Sequence, residues 1–221
     1  YLSKAESIDG IKSQLYLEDA EVIFSQVTLD FEDIENPLTQ LLKKGHLYPR
    51  LFEESEYSLG LVYLELNLDQ KAEAVFSKMI EKYRLSKIDR GYYLSRIWYE
   101  LGAISVRNRD YESALKLFSH AEKSAKGKVL SMEQKLDLWI QQSLCYRVLD
   151  DSDTAMIMLS KVINEDAASS LRIKAMYLRA EIYEEEGRHD LAVKQLEATS
   201  HKGGDWALKA KTKLEEVYGF N

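Results

Sequence analysis

The residues of this 221-residue chain that could do chemistry are few: four histidines at 46, 120, 189 and 201, the single Cys145, the aspartates Asp150, Asp151 and Asp153, and the glutamates Glu184, Glu185 and Glu186. Two imidazoles on one metal need a short helical spacing, and these histidines are dispersed. His189 reads as a helix-packing residue, and His46 and His201 as loop residues. Cys145 has no partner for an intramolecular disulfide. An activated thiolate needs a base or a helix N-terminus beside it, and the surrounding sequence offers neither, so Cys145 reads as a small core residue. A calcium loop counted from Asp151 would need glycine at its sixth position and glutamate at its twelfth, where the chain has Met156 and Val162. The aspartates instead fit a turn and the N-cap of a helix beginning near Thr154. The three glutamates fit a solvated helix end rather than an acid and base pair. There is no glycine-rich phosphate loop and no Gly-x-Ser-x-Gly. The expectation is a chain with no catalytic residue, no metal site and no cofactor, and therefore not an enzyme.

What remains is the question of which elements would carry these residues. The composition, with two prolines, ten glycines and 45% apolar residues, suits long helices around a core. No apolar run reaches the length that spans a bilayer, so direct membrane insertion is not expected. The first 60 residues contain five Lys+Arg against twelve Asp+Glu, a net −7, and the remainder of the chain is balanced at 25 of each. Nucleic acid, which requires a basic surface, is not the expected partner. The chain begins at Tyr1 rather than methionine, so it is expected to be part of a longer product whose missing portion could hold a signal peptide or lipid anchor. The cytoplasm and the bacterial envelope both stay open as locations, and the oligomeric state is not legible.

The strongest pattern is an internal repeat. A small residue, an alanine twelve places later and a large apolar residue four beyond it recur four times: Gly60, Ala72, Phe76; Gly102, Ala114, Phe118; Ser143, Ala155, Leu159; Ala180, Ala192, Leu196. Within 98–121, Trp98, Leu101, Gly102 and Ser105 follow helical spacing, the polar residues 107–110 interrupt it, and Tyr111, Ala114, Phe118 and Ala121 resume it. Two helices joined by so short a turn lie antiparallel. Leu17, Ala20, Phe24 and Val27 carry the second half of the same pattern. A first helix around Ile8 and Ile11, a short helix at 37–44 between Asn36-Pro37 and Gly45, and a new start at Pro49 complete the N-terminal reading. At the other end, Gly203-Gly204 should end one helix and Asp205 cap a last one, with Trp206, Ala210, Leu214 and Val217 on one face and lysines on the other.

These residues resemble the tetratricopeptide repeat, in which Trp, Leu-Gly, Tyr, Ala, Phe and Ala stand at these offsets. Trp98, Leu101, Gly102, Tyr111, Ala114, Phe118 and Ala121 match best, and the resemblance extends over 53–200. The alanines at 72, 114, 155 and 192 are 42, 41 and 37 apart, a stretched period whose surplus falls between one hairpin and the next. Stretched repeats ending in Lys82-Tyr83 are similar to those of bacterial envelope lipoproteins. The fold implied is an all-α right-handed solenoid of antiparallel helix hairpins: 1–50 a degenerate repeat plus a short helix, 51–200 four repeats, and 201–221 a capping helix that closes the open hydrophobic end.

The resemblance also implies a function and a surface. In such arrays the first helix of each pair lines a concave groove, and the matching register reads Tyr57, Tyr99, Ile140 and Tyr177, with Arg96 and Arg147 beside it. Aromatic anchors flanked by arginine suit peptide capture; the competing reading is that these side chains pack between neighbouring first helices. A lysine–asparagine clamp for a terminal carboxylate is missing, since its places hold Tyr57 with Leu61 and Tyr99 with Ala103. The expected function is a scaffold or adaptor that binds a protein or peptide segment in the groove. The alternative is a purely structural or self-associating segment of a larger protein.

Overall fold

In the computed structural model, the residues described are 18–26, 48–85, 93–124, 130–165 and 170–220. Among them every regular element is a helix. In chain order these are α1 (18–26), α2 (Tyr48–Glu65), α3 (Asp69–Leu85), α4 (Leu94–Arg107), α5 (Tyr111–Ser124), α6 (Met132–Val148), α7 (Ser152–Asn164), α8 (Ser170–Glu185), α9 (His189–Ser200) and α10 (Asp205–Tyr218). The chain divides into two compact units, 1–104 and 105–221. The helices expected around Ile8 and Ile11 and at 37–44 lie outside the described residues.

The repeat positions are core positions. Ala72, Ala114, Ala155 and Ala192, and with them Phe76, Phe118, Leu159 and Leu196, are all 0% exposed. Of the small residues that precede them, Gly60 and Gly102 are buried, Ser143 is 2% exposed and Ala180 0%. The sequence repeat is therefore a repeat of buried positions. In the first unit α2 packs on α3, and Lys71 of α3 reaches Glu21 of α1 at 3.1 Å. In the second unit each helix from α5 to α10 packs on the next, and the first helices α6, α8 and α10 also touch in series.

One turn design joins each pair. Asn67, Arg109, Asp150 and Gly187, each five residues before its repeat alanine, have φ of 57°, 62°, 59° and 72°. Each N–H bonds back three residues, and the N–H that follows bonds back five, as in Leu68 to Tyr63 at 2.8 Å and Asp151 to Tyr146 at 2.9 Å. This left-handed closure satisfies the last carbonyls of the outgoing helix. The residue after it then serves as N-cap of the incoming helix: the carbonyls of Leu68, Asp110, Asp151 and Arg188 accept from Ala72, Ala114, Ala155 and Ala192 at 3.0–3.1 Å. Where that residue is aspartate the side chain caps as well, Asp110 accepting from Ser113 N–H and Asp151 from Thr154 N–H, each at 3.1 Å. A four-residue link thus ends one helix, reverses the chain and starts the next.

The terminal helix differs from expectation in three respects. Gly204, with φ 81°, is the N-cap of α10 and Asp205 its first helical residue. Val217 is 64% exposed, because Tyr218 takes the last inward place instead, packing on the cluster of Ala180, Leu196, Ala210 and Leu214. Its phenol also donates to Glu184 at 2.8 Å, a bond that valine could not make. Lys209 and Lys213 do not lie opposite Trp206; at 3.6 residues per turn, 206, 209 and 213 share one side of a helix. His189 is exposed in the first turn of α9 rather than packed.

Candidate functional site

The six residues expected to line a groove have different surroundings. In the first unit Tyr57 is 5% exposed, stacked on Tyr93 with ring centroids 4.7 Å apart. Its hydroxyl donates to Glu100 at 3.3 Å. Burial, and then the charge of Glu100, push this phenol far above its ordinary value, so it stays a neutral donor. The Arg96 guanidinium lies 5.9 Å from the Tyr93 ring centroid. Arg96 and Tyr99 are half-buried.

In the second unit Ile140 is 0% exposed. It belongs to the core of α6 and offers nothing to a ligand. Arg147, at the C-terminal end of α6, forks onto Glu185 of α8 (Nε to Oε2 2.8 Å, with Nη2 on Oε1) and reaches Glu181 at 2.9 Å. The hydrogen bonds it donates to Glu185 lead in holding this guanidinium above its ordinary value. The network continues onto α10. Lys213 pairs with Glu184 and lies 4.0 Å from Glu181, and Tyr218 closes it on Glu184. Burial lowers the affinity of Lys213 for its proton, but Glu184 outweighs that and holds it above its ordinary value. Burial, and next the bond to Glu184, push the Tyr218 phenol up to about 12. Arg147 is thus already spent in tying α6 to α8, and Lys213 in tying α8 to α10. Such half-exposed pairs are each worth about 0–1 kcal/mol, so their effect is alignment of three helices more than stability.

Tyr177 lies in the middle of α8, one turn before Glu181. Its ring tilts against Trp206 of α10 with centroids 5.4 Å apart. Lys209 stands 4.0 Å and Lys174 5.9 Å from the Trp206 centroid, and Lys213 5.6 Å from that of Tyr177. Both rings are half-buried. Sequence reasoning gave Trp206 only a packing role and did not single out Lys209. The 206, 209, 213 stripe was the available signal.

The residues that could do chemistry stay apart. Cys145 is 0% exposed, and burial pushes its thiol up to about 11, which makes it inert. Asp151 is an N-cap and Glu185 an ion-pair partner. Among the described residues no three His, Cys, Asp or Glu side chains gather as metal ligands, and no helix is long and apolar enough to cross a membrane.

Comparison with known proteins agrees with the repeat. A tetratricopeptide-repeat family model matches residues 173–198, which cover most of α8 and most of α9. A search of curated proteins gives no match. Among solved structures the chain is similar to MamA, at 17% identity over 88% of this chain and 95% of that one, with a TM-score of 0.60. It is also similar to MamA from Desulfovibrio magneticus RS-1, at 16% identity over 83% and 95%, TM-score 0.54. A third likeness is to the TPR-like repeats of a putative kinesin light chain from Podosopora anserina, at 15% identity over 89% of each chain, TM-score 0.60. The fold is the all-α array of sequential helix hairpins, and the family model marks residues 173–198 as a tetratricopeptide repeat. Such repeats are in general protein–protein interaction modules and typically not enzymes.

Proposed function

We propose that this chain is a scaffold or adaptor that captures an extended or helical segment of another protein on the face formed by its first helices. The observation that carries the reading is the Tyr177–Trp206 pair, two half-buried rings on adjacent first helices with lysines around them. Aromatic side chains supply large contact area at low entropy cost, and a partner residue laid on them would complete their burial. The burial of Ile140 and Tyr57 favours a packing role for those two positions, so the capture surface in the second unit narrows to Tyr177 and its neighbours. In the first unit Arg96 and Tyr99 are the remaining candidates.

A photo-crosslinking residue tests this in cells of the source organism. Placed at Lys174 on α8 it should yield discrete protein adducts. Placed at Lys194, which is exposed on α9, it should yield none. Adducts from Lys194 alone would overturn the proposal in favour of a second-helix surface.

A further inference from the structure

Two tryptophan–lysine clusters occur in the second unit, and they differ in what they leave unused. Around Trp139, Lys135 stands 4.5 Å and Lys161 5.6 Å from the ring centroid. There the indole N–H donates to Glu122 at 2.8 Å, Lys135 pairs with Glu165 at 3.0 Å, and the ring is 8% exposed. That cluster is closed. Around Trp206 the same residue types are open: among the described residues neither Lys174 nor Lys209 comes within ion-pair distance of a carboxylate, and the indole N–H meets no acceptor. Asp205, the neighbouring acid in sequence, is exposed and pairs with neither lysine. The other cations of the face, Arg147 and Lys213, are bound to Glu181, Glu184 and Glu185.

We infer that the Trp206 cluster is a docking site for an acidic segment of a partner protein, one with an aromatic or aliphatic side chain beside two or more carboxylates. This rests on the reading of the first-helix face as a capture surface and names the chemistry of its occupant. The apolar side chain lies on Trp206 and Tyr177, whose ring centroids are 5.4 Å apart. The carboxylates face Lys174 and Lys209, on opposite sides of that platform in sequence and both within 6 Å of the indole centroid (5.9 and 4.0 Å). The indole N–H is a third donor. The N-cap of α10 is Gly204, with no side-chain cap bond, so the first-turn N–H groups add positive potential on the same side. A basic segment is disfavoured, because no unpaired carboxylate of the cluster faces the rings.

The test uses the full chain and a fluorescein-labelled peptide, Glu-Glu-Phe-Asp-Leu-Glu, followed by anisotropy. A second peptide carries Gln and Asn for the acids, and a third Ala for Phe and Leu. The acidic peptide should bind, and each altered peptide should bind at least about tenfold more weakly. Lys174→Glu with Lys209→Glu should lower affinity for the acidic peptide by at least about tenfold and remove most of its salt dependence. Neither lysine forms an ion pair among the described residues, and an unchanged melting temperature verifies the fold. Equal binding of the acidic and neutral peptides, lost in Trp206→Ala, overturns the acidic occupant while leaving the capture surface standing. No binding of the acidic peptide at about 1 mM overturns the inference outright. Light scattering of the chain alone covers a further occupant: concentration-dependent association abolished by the same lysine pair would assign the site to a second copy and overturn the assignment to a foreign partner.

Discussion

The ring edge of Phe76 occupies the place where a Cβ on residue 60 would stand: Cε1 and Cζ overlap it, and Cδ1 lies 3.0 Å away. Both residues are buried, Phe76 fully, so the ring has no room to step aside. The repeat sets pair glycine with phenylalanine at 60/76 and 102/118, and a larger small residue with leucine at 143/159 and 180/196. At 60/76 the volume given up by the glycine is taken by the ring. Gly60→Ala should therefore destabilise the first unit by about 1–3 kcal/mol in denaturant unfolding, by overpacking. Adding Phe76→Leu to it should recover part of that loss. A Gly60→Ala variant as stable as the parent would show that the contact is slack.

The hairpin turns give a prediction of opposite sign. Arg109 and Asp150 hold φ of 62° and 59°, where Gly187 does the same work without a Cβ. A left-handed L-residue costs about 1–2 kcal/mol, less for aspartate. Arg109→Gly should raise stability by about 0.5–1 kcal/mol once the extra freedom of unfolded glycine is subtracted. Asp150→Gly should gain less, and Gly187→Ala should lose about 1 kcal/mol. Melting temperatures of the three variants test the order.

Capping adds a pH dependence. The Ser113 side chain, and next its backbone N–H, hold the Asp110 carboxyl below its ordinary value of 3.8. A depressed folded-state value means the stabilisation is present above 3.8 and is lost as pH falls through the lower folded-state value. At neutral pH Asp110→Ala should melt below the parent, and the gap should narrow in acid below 3.8. A gap that does not change with pH would assign the effect to the backbone turn instead. Ser131→Ala, which removes a capping box whose Ser131 hydroxyl accepts from Gln134 N–H at 3.1 Å, should cost about 1 kcal/mol with no such narrowing.

The legibility of the sequence varied with how local its causes were. Every alanine of the repeat is fully buried, because a small residue at fixed spacing is demanded by backbone approach, a constraint written in residue size. The Asp151 cap was legible for the same reason: one side chain meets one N–H three residues on. The surface was less so. Tyr57, Ile140 and Tyr177 share a register, yet one is 5% exposed, one 0% and one half-buried. Their exposure depends on what neighbouring helices place over them, which no single helix states. Arg147 is held by Glu181 and Glu185, 34 and 38 residues away, partners that its own helix does not announce. Val217 and Tyr218 were equally eligible by spacing from Leu214, and the bond from the Tyr218 hydroxyl to Glu184 decided between them.

Uptake of a protein segment on the first-helix face of the second unit is the proposal with the widest consequences. The direct measurement is the affinity of the crosslinked partner, purified as a fragment, for two charge-reversed versions of the chain. Lys174→Glu with Lys209→Glu alters the first-helix face. Lys116→Glu with Lys194→Glu alters exposed positions on the second helices α5 and α9. The expected loss is at least about tenfold, or about 1.4 kcal/mol, for the first pair and less than about twofold for the second. Loss of binding from the second pair with the first unchanged would contradict it.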